Sequence, residues 1–206
     1  MTFISGGTTS KLFWPDGSIP SSFTICSITR YTGGSTQRIL RGAQGNWLHG
    51  HYGGDRGSAT GSVYYETWMV DYNSLASTTA TTDWAVVCGS NGLQTPTNVL
   101  YNNIPIGTAS GGAGGNKLVV NYSNELSDWA LSFVAIWDQH LGAEEMQTAS
   151  DALMEYLATG RSILEAPTTA PPCSMVSSVT STTITTSNGT TTTTAITNIP
   201  CPEESA

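Results

Sequence analysis

Short runs of β-forming residues, each bounded by glycine, asparagine, aspartate or proline, recur along about the first 160 residues. The clearest runs are SSFTICSITRY from residue 21, VYYETWMV from residue 63, DWAVVCGS from residue 83, NVLYNNIPIG from residue 98, KLVVNY from residue 117 and WALSFVAIWD from residue 129. Strands at this spacing, with turn residues between them, predict an antiparallel sandwich or barrel. In the first run, β-formers on both alternating faces predict a strand that is largely buried on both sides.

One helix is predicted after these strands, from about Ala143 to Thr159. Its apolar residues recur at helical spacing and are Met146, Ala149, Leu153 and Leu157. Glu144 and Glu145 favour the positive N-terminal end of a helix, and Gly160 is placed to cap its C-terminal end.

The composition changes sharply after Glu165. APTTAPP is typical of a stiff linker, and the segment that follows is dominated by threonine and serine. We therefore divide the chain into a sandwich over residues 1–165 and a tail over residues 166–206. The Asn-Gly pair at residues 188–189 predicts a β-hairpin with a type I′ turn, which would place Ile184 opposite Thr193 and Thr182 opposite Ala195.

Four cysteines, Cys26, Cys88, Cys173 and Cys201, lack the spacing of a zinc site. As disulfides they allow three connectivities. Cys26 and Cys88 both lie in apolar strand-like runs, whereas Cys173 and Cys201 bracket the tail, so we predict the pairs 26–88 and 173–201. Disulfides indicate an oxidising compartment.

The surface that the composition allows is unusual, because only 11% of residues are charged. A polar surface of serine, threonine, asparagine and glycine is typical of an extracellular or cell-surface protein that carries glycans. Asn121 in NYS and Asn188 in NGT are the predicted glycosylation sites. Seven basic residues against fifteen acidic ones, a net charge of -8, argue against nucleic acid or anionic membranes as partners. No segment approaches the roughly 20 apolar residues of a membrane span.

The order of these segments resembles the laminin-G-like domains of the concanavalin A-like lectin/glucanase superfamily, over residues about 10–160. IWDQHLGAEEM, from residue 136, resembles the family's closing strand and the helix after it, and VLYNNIPIG resembles its L-Y-x-D-G-x-x-x-G hairpin. Asn102 and Asn103 depart from the family's Asp-Gly turn, and Gly142 departs from its Ser/Thr helix cap. The resemblance implies an all-β, jelly-roll sandwich in which the Cys26 and Cys88 strands are neighbours.

Two histidines in NWLHGHYGGDRG, residues 46–57, raise the question of a metal site. His49 and His51 would lie on the same face of a strand, as many metal sites require. A metal site also needs a third ligand, and only Asp55 and His140 are obvious candidates. In the resemblance, this strand packs its aromatic and imidazole groups inside the sandwich. We therefore expect a structural role for both histidines, and no metal.

The acidic residues of the chain are possible calcium ligands and possible catalytic groups. Asp16, Asp55, Asp128 and Glu125 are the candidate calcium ligands, but none lies in a dense acidic loop, so we expect turn and cap roles and no cofactor. Glycosidases of the superfamily carry a Glu-x-Asp-x-Glu cluster, which is missing here, as are other catalytic motifs. A glycan hydrolase or lyase is therefore the least favoured class, and we expect no enzyme and no catalytic residues.

Sugar binding needs exposed aromatic rings beside hydrogen-bonding groups, and Tyr52, Asp55 and Tyr64 are the predicted carbohydrate-binding residues. Trp68 is assigned to the core. We predict a non-enzymatic extracellular glycoprotein module for adhesion or assembly, a building block of a surface or filamentous structure. Its tail hairpin would join copies of itself or other extracellular proteins by β-augmentation. The competing explanation is that the hairpin folds back on its own sandwich as an extra edge strand. The alternative is a carbohydrate-binding lectin module on a mucin-like stalk.

Overall fold

The computed structural model describes residues 1–53, 59–70, 83–93, 97–108, 110–160, 182–185 and 191–194. In chain order the elements are β1 (Ile4–Gly6), β2 (Leu12–Phe13), β3 (Thr24–Tyr31), β4 (Leu40–Gly42), β5 (Trp47–Tyr52), β6 (Ala59–Tyr65), β7 (Ala85–Ser90), β8 (Val99–Tyr101), β9 (Ile104–Pro105), β10 (Leu118–Val120), β11 (Trp129–Trp137), α1 (Ala143–Thr159), β12 (Thr182–Thr185) and β13 (Thr191–Thr194).

Two antiparallel sheets form the body of the protein. The larger sheet has the order β1-β11-β3-β7-β8-β9, and the smaller sheet has the order β2-β10-β4-β5-β6. Apolar side chains from both sheets form one core cluster between them, so the sheets are the two layers of a sandwich. The predicted all-β antiparallel sandwich is confirmed.

Strand β3 is buried on both faces, as its residue pattern predicts. Ile25 and Tyr31 belong to the core between the sheets. Cys26 and Ile28 point the other way and belong to a second apolar cluster, which includes Met146 of α1. The helix therefore covers the outer side of the larger sheet.

The helix begins and ends where the sequence predicts. The Gly142 N–H donates to the Glu145 carboxylate at 2.7 Å, which supplies half of a capping box, although glycine has no side chain to supply the other half. At the other end Gly160 is left-handed, with φ of 69°, and its N–H donates to the Tyr156 carbonyl at 2.8 Å. Left-handed backbone is accessible to glycine at little cost, which explains this residue at the cap.

The disulfide between Cys26 and Cys88 is formed, and the two residues lie directly opposite each other on β3 and β7. Both are fully buried beneath α1. This confirms the first predicted pair. Cys173 and Cys201 lie outside the described residues.

The predicted turn at Asn102 and Asn103 joins β8 to β9. Both residues are left-handed, with φ of 47° and 67°, and Tyr101 pairs with Ile104 across the turn. Asparagine tolerates this conformation, so the departure from Asp-Gly preserves a two-residue hairpin.

The tail contains the predicted hairpin, since β12 and β13 pair in antiparallel fashion. The predicted register is wrong by one residue: Ile184 lies opposite Thr192, and Thr182 opposite Thr194. The predicted type I′ turn at Asn188 and Gly189 lies outside the described residues. The 165/166 domain boundary and the proline-rich linker lie outside the described residues.

Candidate binding surfaces

His49 is a bridge between the two sheets. Its Nε2 lies 3.2 Å from the Val87 carbonyl of the larger sheet, and its Nδ1 lies 2.8 Å from the Tyr65 hydroxyl of the smaller sheet. A carbonyl can only accept, so Nε2 carries the proton and Tyr65 donates to Nδ1. Complete burial lowers the pKa of His49 to about 4, although the bond to Val87 opposes this shift.

His51 occupies a second position between the sheets. Its Nδ1 lies 3.2 Å from the Thr29 hydroxyl, and the Tyr31 ring packs edge-on against it at 4.6 Å between centroids. Its Nε2 has no hydrogen-bond partner among the described residues. Burial, and secondarily the nearby His49, lower the pKa of His51 to about 3.

Both imidazoles are therefore neutral parts of the core, as the structural interpretation predicts. His140, one of the suggested metal partners, is instead exposed and lies 3.0 Å from the Asn91 side-chain oxygen. Asp55, the other suggested partner, lies outside the described residues. Within the described ranges, no group of three or more histidine, cysteine, aspartate or glutamate residues is placed to hold a metal ion.

The candidate calcium carboxylates have separate protein partners. Asp16 pairs with Lys117 at 3.1 Å, and Asp128 accepts from the Ser35 N–H at 3.0 Å. Glu125 pairs with Arg38 at 2.8 Å. These are turn and ion-pair roles, and the three carboxylates do not converge.

Three partly exposed aromatic rings meet on the outer side of the smaller sheet; we call Tyr52, Tyr64 and Trp68 the aromatic cluster. The Trp68 ring centroid lies 5.9 Å from that of Tyr52 and 5.0 Å from that of Tyr64. Strand alternation explains their position: His49 and His51 point inward, so Tyr52 points outward. Trp68 joins Tyr64 through an isolated β-bridge just beyond β6.

An arginine fixes one end of the aromatic cluster. The Arg38 guanidinium lies 5.3 Å from the Tyr52 ring centroid, a cation–π arrangement. Arg38 also donates to the Asn46 side-chain oxygen at 2.7 Å and pairs with Glu125. Arg41 lies 3.8 Å from the same Glu125 oxygen, and burial together with Arg38 lowers the pKa of Arg41.

The structure brings together two of the three predicted sugar-binding residues, Tyr52 and Tyr64. Asp55 lies outside the described residues. Sequence reasoning missed Arg38. Its assignment of Trp68 to the core is confirmed in part, because Trp68 packs against the core cluster, but the residue is only partly buried and also contacts both tyrosines. The alternation of β5 contains the signal for the outward position of Tyr52, but the sequence has no local signal that places Arg38 against it.

Asn121 has an internal structural role, which conflicts with its predicted glycosylation. It is fully buried and left-handed, with φ of 53°. Its side-chain nitrogen donates to the carbonyls of Gly7, Ser10 and Ser127, and its side-chain oxygen accepts from the Ser127 N–H at 2.8 Å. A glycan would replace one of the two hydrogens on this buried nitrogen and would therefore disrupt its contacts with the three carbonyls. Asn188 lies outside the described residues.

A second surface lies at the other end of the smaller sheet; we call Phe13 and Tyr122 the β2 edge patch. The two side chains are 37% and 39% exposed, and their rings meet at 6.0 Å in an edge-to-face contact. Cα atoms of β12 come within 8 Å of those of β2, but β12 and β13 form a separate sheet.

Comparisons with known proteins yield a fold likeness only. A solved structure that resembles the chain is that of the native heptameric SAP-like pentraxin from Limulus polyphemus. It is 17% identical, and the match covers 73% of this chain and 81% of that chain with a TM-score of 0.46. A likeness this weak does not bear on function. No protein-family model and no curated protein matches the chain. No described helix is long and apolar enough to cross a membrane.

Proposed function

We propose that this chain is a non-enzymatic extracellular binding module and that its aromatic cluster binds carbohydrate. The observation that carries the proposal is the convergence of Tyr52, Tyr64 and Trp68 on one side of the sheet. A pyranose ring has an apolar face and a rim of hydroxyl groups. Partly exposed aromatic rings suit the first, and neighbouring polar side chains suit the second.

Arg38 supports this proposal because it holds Tyr52 in place before any ligand arrives. Its guanidinium is fixed by Glu125 and Asn46, and only 7% of the residue is exposed. A ring held in this way loses little side-chain entropy on binding, so more of the contact energy contributes to affinity.

The extracellular setting rests on two features. The buried disulfide is typical of proteins from oxidising compartments. The low charged fraction of 11% agrees with a surface that carries glycans, for which Asn188 is the proposed attachment site. The laminin-G-like assignment is part of the proposal, supported by the closing strand β11 and the helix α1 at the positions of the matching motif.

Glycan-array binding of the purified full chain tests the sugar proposal. We expect binding that Trp68→Ala weakens at least tenfold, about 1.4 kcal/mol, because the variant removes the ring that contacts both tyrosines. Phe3→Ala is the matched control: Phe3 is an exposed aromatic, 46% accessible, that packs on Trp84 instead. Binding that survives in Trp68→Ala, or is lost equally in Phe3→Ala, would contradict the proposal.

Self-assembly is the second candidate function, and the β12–β13 hairpin favours it. An isolated two-stranded hairpin is marginal in water, so this one requires a further surface to pair with. Sedimentation velocity of the full chain across a range of concentrations tests this candidate. Association that grows with concentration would support assembly, and a monomer at every concentration would exclude it.

A further inference from the structure

The backbone of β2 presents an open edge. Phe13 lies opposite Val119 of β10, and the Trp14 N–H donates to the Leu118 carbonyl. In an antiparallel ladder, residues whose backbone N–H and carbonyl bond to one neighbouring strand alternate with residues whose N–H and carbonyl point away from that strand. The Phe13 N–H and carbonyl therefore point away from β10, in the direction where a further strand would pair.

The side chains at this edge suit an uncharged partner strand. Phe13 and Tyr122 are both more than a third exposed, and the Lys117 ammonium lies 5.9 Å from the Phe13 ring centroid. The edge strand β9 of the larger sheet differs, because it contains Pro105, which cannot donate to a ladder. The β2 edge patch is thus better suited to strand addition than the β9 edge.

The tail hairpin has the matching properties. Strands β12 and β13 read TTIT and TTTT, so neither contains a charge that would oppose burial against an edge. Strand β12 comes near β2 of its own chain, yet no ladder joins them. The intrachain approach therefore leaves the outward groups of Phe13 without strand pairing in the described residues.

We propose that the β2 edge patch is the docking site for the β12–β13 hairpin of a second copy of this chain. The proposal rests on the assembly candidate function. The segment of residues 161–181 could span up to roughly 70 Å if extended, at about 3.4 Å per residue, which exceeds a domain of this size. Exchange of the hairpin between two copies is then a low-cost route to a dimer.

Complementation between two full-length variants tests the docking. The acceptor variant Phe13→Glu places a charge on the open edge and leaves the hairpin intact. The donor variant, Ile184→Pro with Thr192→Pro, prevents the ladder between the opposed residues of β12 and β13 and leaves the edge intact. Ile104→Glu is the matched control, since Ile104 is an apolar edge-strand residue that is 59% exposed on the other sheet.

We expect the wild type and Ile104→Glu to associate equally, and each of the two other variants alone to associate at least tenfold more weakly. An equimolar mixture of the acceptor and donor variants should form a one-to-one complex, because each supplies what the other lacks. Tyr122→Glu is a second acceptor variant in case Phe13→Glu does not fold, as judged by near-ultraviolet circular dichroism.

The outcomes distinguish a failure of the assembly function from a failure of the β2 edge patch as its docking site. A wild type that is monomeric at every concentration refutes the assembly candidate and this docking with it. A wild type that associates while both acceptor variants associate equally well refutes the β2 edge patch alone. A mixture of acceptor and donor variants that forms no complex also overturns the proposal.

Discussion

Acid should destabilise this sandwich through His49 and His51. Both imidazoles lie fully buried between the sheets, and burial lowers their pKa values to about 4 and about 3. The faces that surround them contribute Tyr31 and Tyr65, whose pKa values burial raises, so both phenols are neutral. No described charged side chain contacts either imidazole to favour its protonation.

The sign and size of the effect follow from proton linkage. An unfolded histidine has a pKa near 6.5, so below that pH the unfolded chain binds protons that the folded protein does not. The stability contribution is complete above pH about 6.5 and is lost as the pH falls towards the folded values. At pH 5 each histidine accounts for about 2 kcal/mol, and the pair for about 4 kcal/mol.

Urea unfolding at a series of pH values from 8 to 5 measures this loss. We expect the free energy of unfolding to fall with a slope near 2.7 kcal/mol per pH unit around pH 5, the value for two protons. His49→Gln, which preserves an amide donor and acceptor, should roughly halve the slope, even though the variant is less stable at pH 8. His140→Gln, at the exposed histidine, is the control and should leave the slope unchanged.

A free energy of unfolding that stays constant between pH 7 and 5 would refute the buried, neutral assignment. A slope that changes as much in His140→Gln as in His49→Gln would also refute this assignment, because the titrating group would then lie outside the core.

Three further predictions concern the buried residues that hold the domain together. Replacing Cys26 and Cys88 with alanine should lower the free energy of unfolding by about 4 kcal/mol, since the bridge spans a sequence separation of 62, and denaturation of wild type and variant would measure it. An unchanged midpoint would count against that bridge. Asn121→Ala should cost about 2 to 4 kcal/mol because it leaves buried backbone groups unpaired, whereas Asn124→Ala at an exposed site should cost little. Peptide mass spectrometry of the folded protein should find Asn121 unmodified, and a glycan there would show that the buried network is wrong.

Local patterns predicted the parts of the fold that depend on neighbours in sequence. The helix bounds follow from the 3.6-residue period and the glycine at residue 160, and these agree with α1. The burial of β3 follows from apolar residues on both of its faces. The Asn-Gly pair predicts the hairpin but does not determine its register, because several loop lengths are compatible with the same pair of residues.

The candidate sites depend on contacts that are distant in sequence, and these were predicted only in part. The sequence offers Tyr52 and Tyr64 as aromatic platforms for a sugar, but it assigns Trp68 to the core alone, whereas Trp68 both packs against the core and contacts the two tyrosines. Asn121 matches a sequon, and that pattern does not report that three carbonyls from other segments surround the amide. Such environments are set by the packing of the whole sandwich.

Fluorine NMR of the full chain labelled with 5-fluorotryptophan tests the central claim most directly. The Trp68 resonance can be assigned as the signal missing from Trp68→Phe, and the probes are neutral oligosaccharides such as cellohexaose, chitohexaose, laminarihexaose and mannohexaose. Trp68 contacts both tyrosines of the aromatic cluster, whereas Trp47 and Trp129 are buried in the core. We expect at least one oligosaccharide to shift the Trp68 signal in a saturable way and to leave the signals of Trp47 and Trp129 unchanged. Saturable binding of an oligosaccharide with no change at Trp68, or no binding by any of the four, would contradict that claim.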